Sequence, residues 1–205
     1  GRAVTPAPLP LPILILTGFL SGAGIRLADP LLALIASGFG TSVAAAAPVV
    51  AGFTLAYGLA QPVLGPLGDR FGKLRLISAC MACYGAATLA AALAPTLGTL
   101  TAARAAAGVF AGGLIPVAIA LIGDATTYAT RQATLGRFMT GMVLSNLITA
   151  PLAGIAGDVV GWRPVFAVLG AAALAAAAPL WREAARTTPV RRGPGAGAIA
   201  RYAVL

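Results

Sequence analysis

Histidine is absent from these 205 residues, cysteine occurs twice, and only five residues are acidic. With no histidine and no group of Cys, Asp and Glu at ligand spacing, the chain offers neither a zinc site nor an imidazole acid–base centre. No nucleophile stands beside a usable base, so an enzyme is not expected, and no cofactor is called for. Cys80 and Cys83 form a C-x-x-C spacing, which elsewhere suggests metal or redox chemistry. Here both fall in an apolar run without a second pair, and free cysteine is an ordinary small apolar filler. Charge is the other shortage. Only 9% of residues carry it, against roughly 25% in a soluble domain, so most of this surface does not face water.

What fills the chain instead is apolar sequence, 59% of it. Uncharged stretches run from Ala3 to Ile25, Pro30 to Gly68, Leu76 to Ala103, Ala105 to Gly123, Phe138 to Gly157 and Pro164 to Trp181. A helix crossing a bilayer needs about 20 such residues. Six spans are therefore expected, near 11–37, 43–64, 76–95, 100–122, 137–157 and 164–181. The fold class is all-α integral membrane, with the lipid bilayer as its immediate partner.

A net charge of +9 invites a nucleic-acid reading, but the basic residues do not form a face. They sit in short segments between spans. With the N-terminus cytoplasmic, that side collects Arg2, Arg70, Lys73, Arg75, Arg131, Arg137, Arg182, Arg186, Arg191, Arg192 and Arg201, and the other side only Arg163. Eleven against one is the positive-inside pattern. It predicts both termini in the cytoplasm and no nucleic-acid partner.

The chain also repeats itself. Pro62, Gly65, Gly68, Asp69 and Gly72 recur 89 positions later as Pro151, Gly154, Gly157, Asp158 and Gly161. One copy closes the second span and the other the fifth. Three spans separate them, an odd number, so the copies lie on opposite membrane faces. This is the signature of an inverted-topology repeat, three helices followed by three. Gly is common enough for some coincidence, but a matched Asp among five acidic residues favours a true repeat. The expected organisation is a cytoplasmic N-terminus over 1–10, repeats over 11–95 and 100–181, and a basic cytoplasmic linker over 182–205.

Residues Gly65–Arg75 read G-P-L-G-D-R-F-G-K-L-R. This resembles the loop between the second and third helices of the major facilitator superfamily, G-x-x-x-D-R/K-x-G-x-R/K-R/K. Gly65, Asp69, Arg70 and Gly72 match, with Lys73 and Arg75 as the basic pair and Leu74 in one usual basic position. Arg104-A-A-A-Gly108-V-F-A-Gly112 is similar to the R-x-x-x-G-x-x-x-G pattern of that family's fourth helix. Gly161–Phe166 (G-W-R-P-V-F) is similar to the W-R-x-x-F start of its sixth, and Ala150–Gly154 (A-P-L-A-G) only weakly echoes its antiporter signature. The resemblance implies that the chain is the N-terminal six-helix half of a twelve-helix transporter. It implies that Asp69, Arg70, Lys73 and Arg75 latch the halves at the cytoplasmic face, with Asp124 as acidic partner. Topology determination alone also explains the basic residues, but acidic residues contribute little to topology, so Asp69 points to the latch.

Charges inside spans are costly and usually face a cavity or a partner. Arg26, Asp29 and Arg104 are thus the candidates for the substrate or proton pathway. Arg26 and Asp29 stand three apart, within pairing reach on a helix, next to a helix-breaking Pro30. Asp29 is the sole acidic residue expected within a span and hence the coupling candidate; a structural ion pair near the outer rim is the equal alternative. Asn146 is the foremost polar candidate for a cargo contact, ahead of Thr149, Tyr57 and Gln61, with helix–helix hydrogen bonding as the equal alternative for all four.

The expected function is secondary transport of a small molecule by alternating access, as proton-coupled efflux, in the cytoplasmic membrane of a bacterium. The expected partners are the cargo, protons and a missing C-terminal six-helix half, since the chain begins at Gly1 and ends in linker-like sequence. A self-associating six-helix protein and a non-transporting membrane scaffold are the alternatives.

Overall fold

The computed structural model describes residues 9–186, which form eight helices joined by short turns. These are α1 (Leu11–Arg26), α2 (Leu32–Gly38), α3 (Val43–Ala46), α4 (Pro48–Phe71), α5 (Lys73–Ala92), α6 (Leu97–Ala125), α7 (Tyr128–Val160) and α8 (Trp162–Arg186). No strand occurs among the described residues. Most of the expected N-terminal segment and of the basic linker, with Arg2, Arg191, Arg192 and Arg201, lies outside them.

Five helical stretches are long and apolar enough to cross a membrane: Val43–Phe71, which joins α3 to α4, and then α5, α6, α7 and α8. The expected first span, 11–37, is delivered in two pieces. α1 has 16 residues, about 24 Å of helix, less than the ~30 Å hydrocarbon core. α2 supplies the rest. Pro30 is the cause: it lacks an N–H, and its ring opposes the carbonyl four residues back. The backbone closes the gap with tight turns, Leu31 N–H to Ala28 O at 3.2 Å and Leu32 N–H to Asp29 O at 3.5 Å.

The expected 65–75 loop is the main correction. α4 continues through Phe71 and α5 starts at Lys73, leaving Gly72 alone between them with φ +93°. Gly161 does the same between α7 and α8 with φ +81°. Only glycine takes that backbone region freely, so each copy of the repeated string ends at the one residue able to reverse the chain. Continuing a helix also keeps backbone polar groups paired where water is scarce. For the same reason α7 is 33 residues long, about 50 Å, and overshoots the expected 137–157 span at both ends.

Packing carries the inverted symmetry. α4 lies chiefly on α6 and α7 on α1, while α5 contacts α6, α8 contacts α1, and α5 and α8 pack on each other. Exchanging α1 with α6, α4 with α7 and α5 with α8 maps this pattern onto itself. The two principal crossings use the same device. A Cβ on Gly108 or Gly112 of α6 would collide with the Phe53 or Tyr57 carbonyl of α4, and one on Gly141 of α7 with the Ile15 carbonyl of α1. Without side chains there, the backbones meet directly, which suits an environment where packing rather than water expulsion holds helices together.

Candidate functional site

Two groups of charged residues result, one where α1 ends at the kink and one at the end of the bundle where α4, α5 and α6 converge. α1 lies chiefly on α7, with α6 and α8 behind it, and the kink that follows it faces α4. Arg26, the last residue of α1, donates from Nε to Asn146 Oδ1 on α7 at 3.0 Å. The Asn146 amide nitrogen in turn donates to the Met142 carbonyl at 3.0 Å. That second bond fixes which amide atom faces the arginine. Arg26 Nη1 stands 3.7 Å from Asp29 Oδ2, with the side chains 50% and 41% exposed. At that distance the pair is electrostatic rather than hydrogen-bonded. Asp29 sits in the Leu27–Leu31 turn rather than within a helical span, because Pro30 ends the helix before it. It lines an open cleft of about 600 Å³ between the kink and α4, with Leu32, Val50, Thr54 and Leu55 as neighbours.

Arg104 is fully buried, behind the cleft rather than among the residues that line it. Nη2 donates to Gly24 O at 2.9 Å and Nε to Val49 O at 3.4 Å. The guanidinium stacks over Phe53 at 4.1 Å and lies 5.6 Å from the Phe166 ring centre. Nη1 has no hydrogen-bond partner, and the aromatic faces offset part of that loss. The residue ties α6 to α1 just before the kink and to the start of α4. Tyr84 of α5 braces the same spot, donating to Leu20 O at 2.9 Å. A Cβ on Gly24 would stand 2.9 Å from the Phe53 ring.

At the bundle end, Lys73 Nζ bonds the Asp69 carboxylate and, at 2.8 Å, Asp124 Oδ2. One ammonium thus joins the end of α4, the start of α5 and the end of α6. Asp69 does not cap α5; no side chain does. Arg70 and Arg75 are exposed, and Arg70 lies over its neighbour Phe71 at 5.4 Å. Gly65 has open space around it, and Gly72 makes the turn. On α7, Arg131 donates to the Gly123 carbonyl at 2.9 Å, satisfying a free acceptor at the end of α6.

Of the remaining polar candidates, Thr149 is buried against Ser145 at 3.2 Å, Tyr57 stacks on Phe53 at 6.0 Å, and Gln61 is exposed. Sequence spacing gave no sign of the Phe53, Phe166 and Tyr84 surround of Arg104, because its members come from three other helices. At the opposite end of the bundle the Gly161–Phe166 string was legible, but not its partners Phe39 and Ala92. There Trp162 stands 5.7 Å from Phe39 and 5.8 Å from Phe166, and Arg163 donates to Ala92 O at 2.8 Å. No group of three or more metal-ligating residues occurs among the described residues.

A helical bundle with five full crossings, a broken first one and internal inverted symmetry is a multi-pass membrane protein of the kind built in repeats. The family model of the Major Facilitator Superfamily matches residues 14–203, and the chain belongs to that superfamily. It is 28% identical over 160 residues to the uncharacterized MFS-type transporter YwfA of Bacillus subtilis, covering 78% of this chain and 39% of that protein. It is 32% identical over 158 residues to the putative uncharacterized transporter YgaY of Escherichia coli, covering 76% and 39%. The triacylglyceride transporter of Mycobacteroides abscessus is 32% identical over 108 residues, covering 53% and 21%. Among solved structures, the fold is similar to a bacterial homolog of the human lysosomal transporter Spinster in an inward-facing, unoccupied conformation. That match has a TM-score of 0.73 at 20% identity, covering 86% of this chain and 43% of that one. The proton:xylose symporter XylE matches with a TM-score of 0.73 at 15% identity, covering 84% and 43%. The chain spans 39% of the length of the first two of these relatives and 21% of the third.

Proposed function

We propose that these six spans form the N-terminal half of a twelve-helix transporter that moves a small molecule by alternating access, as proton-coupled efflux. The observation that carries this is the half-exposed Arg26–Asn146–Asp29 group beside an open cleft in an otherwise apolar wall. Charge at membrane depth is retained where it serves a pathway. α4 and α7 also leave Leu55, Leu59, Leu147, Leu152 and Ile155 exposed. A second half laid against them would enclose the polar group in a cavity, and the greater length of the relatives supports such a half. In this reading Asp29 carries the coupling proton, and Arg104 holds α1 in place behind it. The Asp69, Arg70, Gly72, Lys73, Arg75 and Asp124 group secures the end of the bundle that meets the second half. The arginine distribution supports that end, and both termini, facing the cytoplasm; the bacterial relatives support the cytoplasmic membrane of a bacterium.

The test is flux. The full-length product of the native gene, reconstituted in vesicles with an imposed pH gradient, should move protons when cargo is present. Asp29→Asn should keep insertion and lose the proton dependence. A variant whose transport keeps its pH dependence removes Asp29 from coupling. An intact native mass near that of six helices would replace the missing half by a second copy of this chain.

A further inference from the structure

The transport reading leaves the cargo open, and the geometry around Arg26 narrows it. Arg26 has five N–H donors, and among the described residues only Nε finds a hydrogen-bond partner. Within that set both Nη groups are left without a hydrogen bond, on a side chain half open to the surface. Asp29 does not consume them, since 3.7 Å is too long for a hydrogen bond. The guanidinium is nonetheless held still. Met142 O fixes the Asn146 amide, and Asn146 Oδ1 fixes Arg26 Nε. An orienting chain of two bonds with the planar Nη edge left free is the arrangement that receives a carboxylate or phosphate in two parallel hydrogen bonds.

Donor chemistry decides between an anionic and a cationic cargo. The wall exposes one guanidinium, Arg26, and one carboxylate, Asp29, while Arg104 lies buried behind them, bonded to the Gly24 and Val49 carbonyls. The exposed charges are thus balanced, and what they leave over is the Nη edge, which offers donors only. A cation has no use for that edge. An anionic head accepts from it. The space for the rest of the cargo is the cleft lined by Leu32, Val50 and Leu55, which is apolar apart from Asp29 and Thr54.

We infer that Arg26 seats the acidic head of the cargo and that the transported class is an amphipathic organic anion, with its apolar body in the α2–α4 cleft. Asn146 acts as a positioning residue for the guanidinium. This inference rests on the Arg26–Asp29 wall being part of the transport pathway, as proposed above.

The test is binding to the full-length protein in lipid nanodiscs, measured calorimetrically with three probes sharing one ring system: 2-naphthoate, 2-naphthamide and 2-naphthylmethylammonium. Naphthoate should bind at least about tenfold more tightly than naphthamide, the value of one charge-assisted hydrogen bond. The preference should vanish in Arg26→Gln, persist in reduced form in Arg26→Lys, and fall severalfold in Asn146→Ala. Equal binding of naphthoate and naphthamide, tighter binding of the ammonium probe, binding of none, or a preference that survives Arg26→Gln would each overturn the inference. Flux measured separately keeps the two readings apart. A protein that carries the ammonium or the amide across vesicles while ignoring naphthoate is still a transporter, of a different cargo class.

Discussion

Gly85 of α5 and Gly170 of α8 face each other so closely that each occupies the place of the other's missing side chain. A Cβ on Gly85 would lie 2.8 Å from the Gly170 carbonyl oxygen, and one on Gly170 would lie 2.9 Å from that of Gly85. The contact is reciprocal, as a pair of elements exchanged by the internal symmetry requires. It is one of the places where the two repeats touch backbone to backbone.

Gly170→Val should therefore force α5 and α8 apart. Overpacking of this kind costs about 1–3 kcal/mol. The expected result is a lower midpoint in thermal unfolding of the detergent-solubilised protein, with Gly170→Ala intermediate. A Gly170→Val protein as stable as the parent would contradict the crossing.

Arg104→Lys tests the opposite kind of contact. Lysine keeps the charge but cannot span Gly24 O and Val49 O while stacking on Phe53. Losing these bonds to a charged group should destabilise by about 1.5–3 kcal/mol. Unfolding midpoints should order parent above Arg104→Lys. Equal midpoints would mean that the guanidinium fork contributes nothing.

Lys73→Gln should separate stability from function. The ammonium lies at the bundle end beside two partly exposed carboxylates, where ion pairs contribute roughly 0–1 kcal/mol. The melting midpoint should barely move, while flux in the full-length protein falls severalfold. Unchanged flux would reduce the Asp69–Lys73–Asp124 group to a determinant of orientation.

Gly157→Val should disturb the kink, because a Cβ at Gly157 runs into the Leu31 side chain and lies 3.1 Å from Leu34. The loss of stability should be recovered in part by Leu31→Ala, which empties the same space. Contacting pairs depart from additivity by about 0.5–3 kcal/mol. Strict additivity of the two changes would mean that α7 does not rest on the kinked segment.

Much of this was legible in the sequence, and for particular reasons. The apolar runs set the crossings because hydrocarbon imposes a length, and Pro30 announced the break in the first one. The recurrence of Asp69 as Asp158 revealed the inverted repeat. The end of α4 was misread because charged residues look like loop, although a helix longer than the bilayer core carries them comfortably. The burial of Arg104 was illegible for another cause. An arginine at membrane depth declares that something must satisfy it, but carbonyls from Gly24 and Val49 carry no side-chain signal. The Arg26–Asn146 bond, across 120 positions, joins two residues that sequence could rank separately but not bring together.

Asp158 shows what the duplication did not preserve. It occupies the place of Asp69 in the second copy, yet four residues on, where Lys73 stands in the first copy, the chain has Trp162. The exposed carboxylate has no ion pair among the described residues, and the tryptophan packs between Phe39 and Phe166 instead. Identical hinges thus close the two ends of the bundle with different fasteners, one ionic and one aromatic. Added salt weakens the first more than the second, so ionic strength acts on this protein as a vector, loosening one end more than the other.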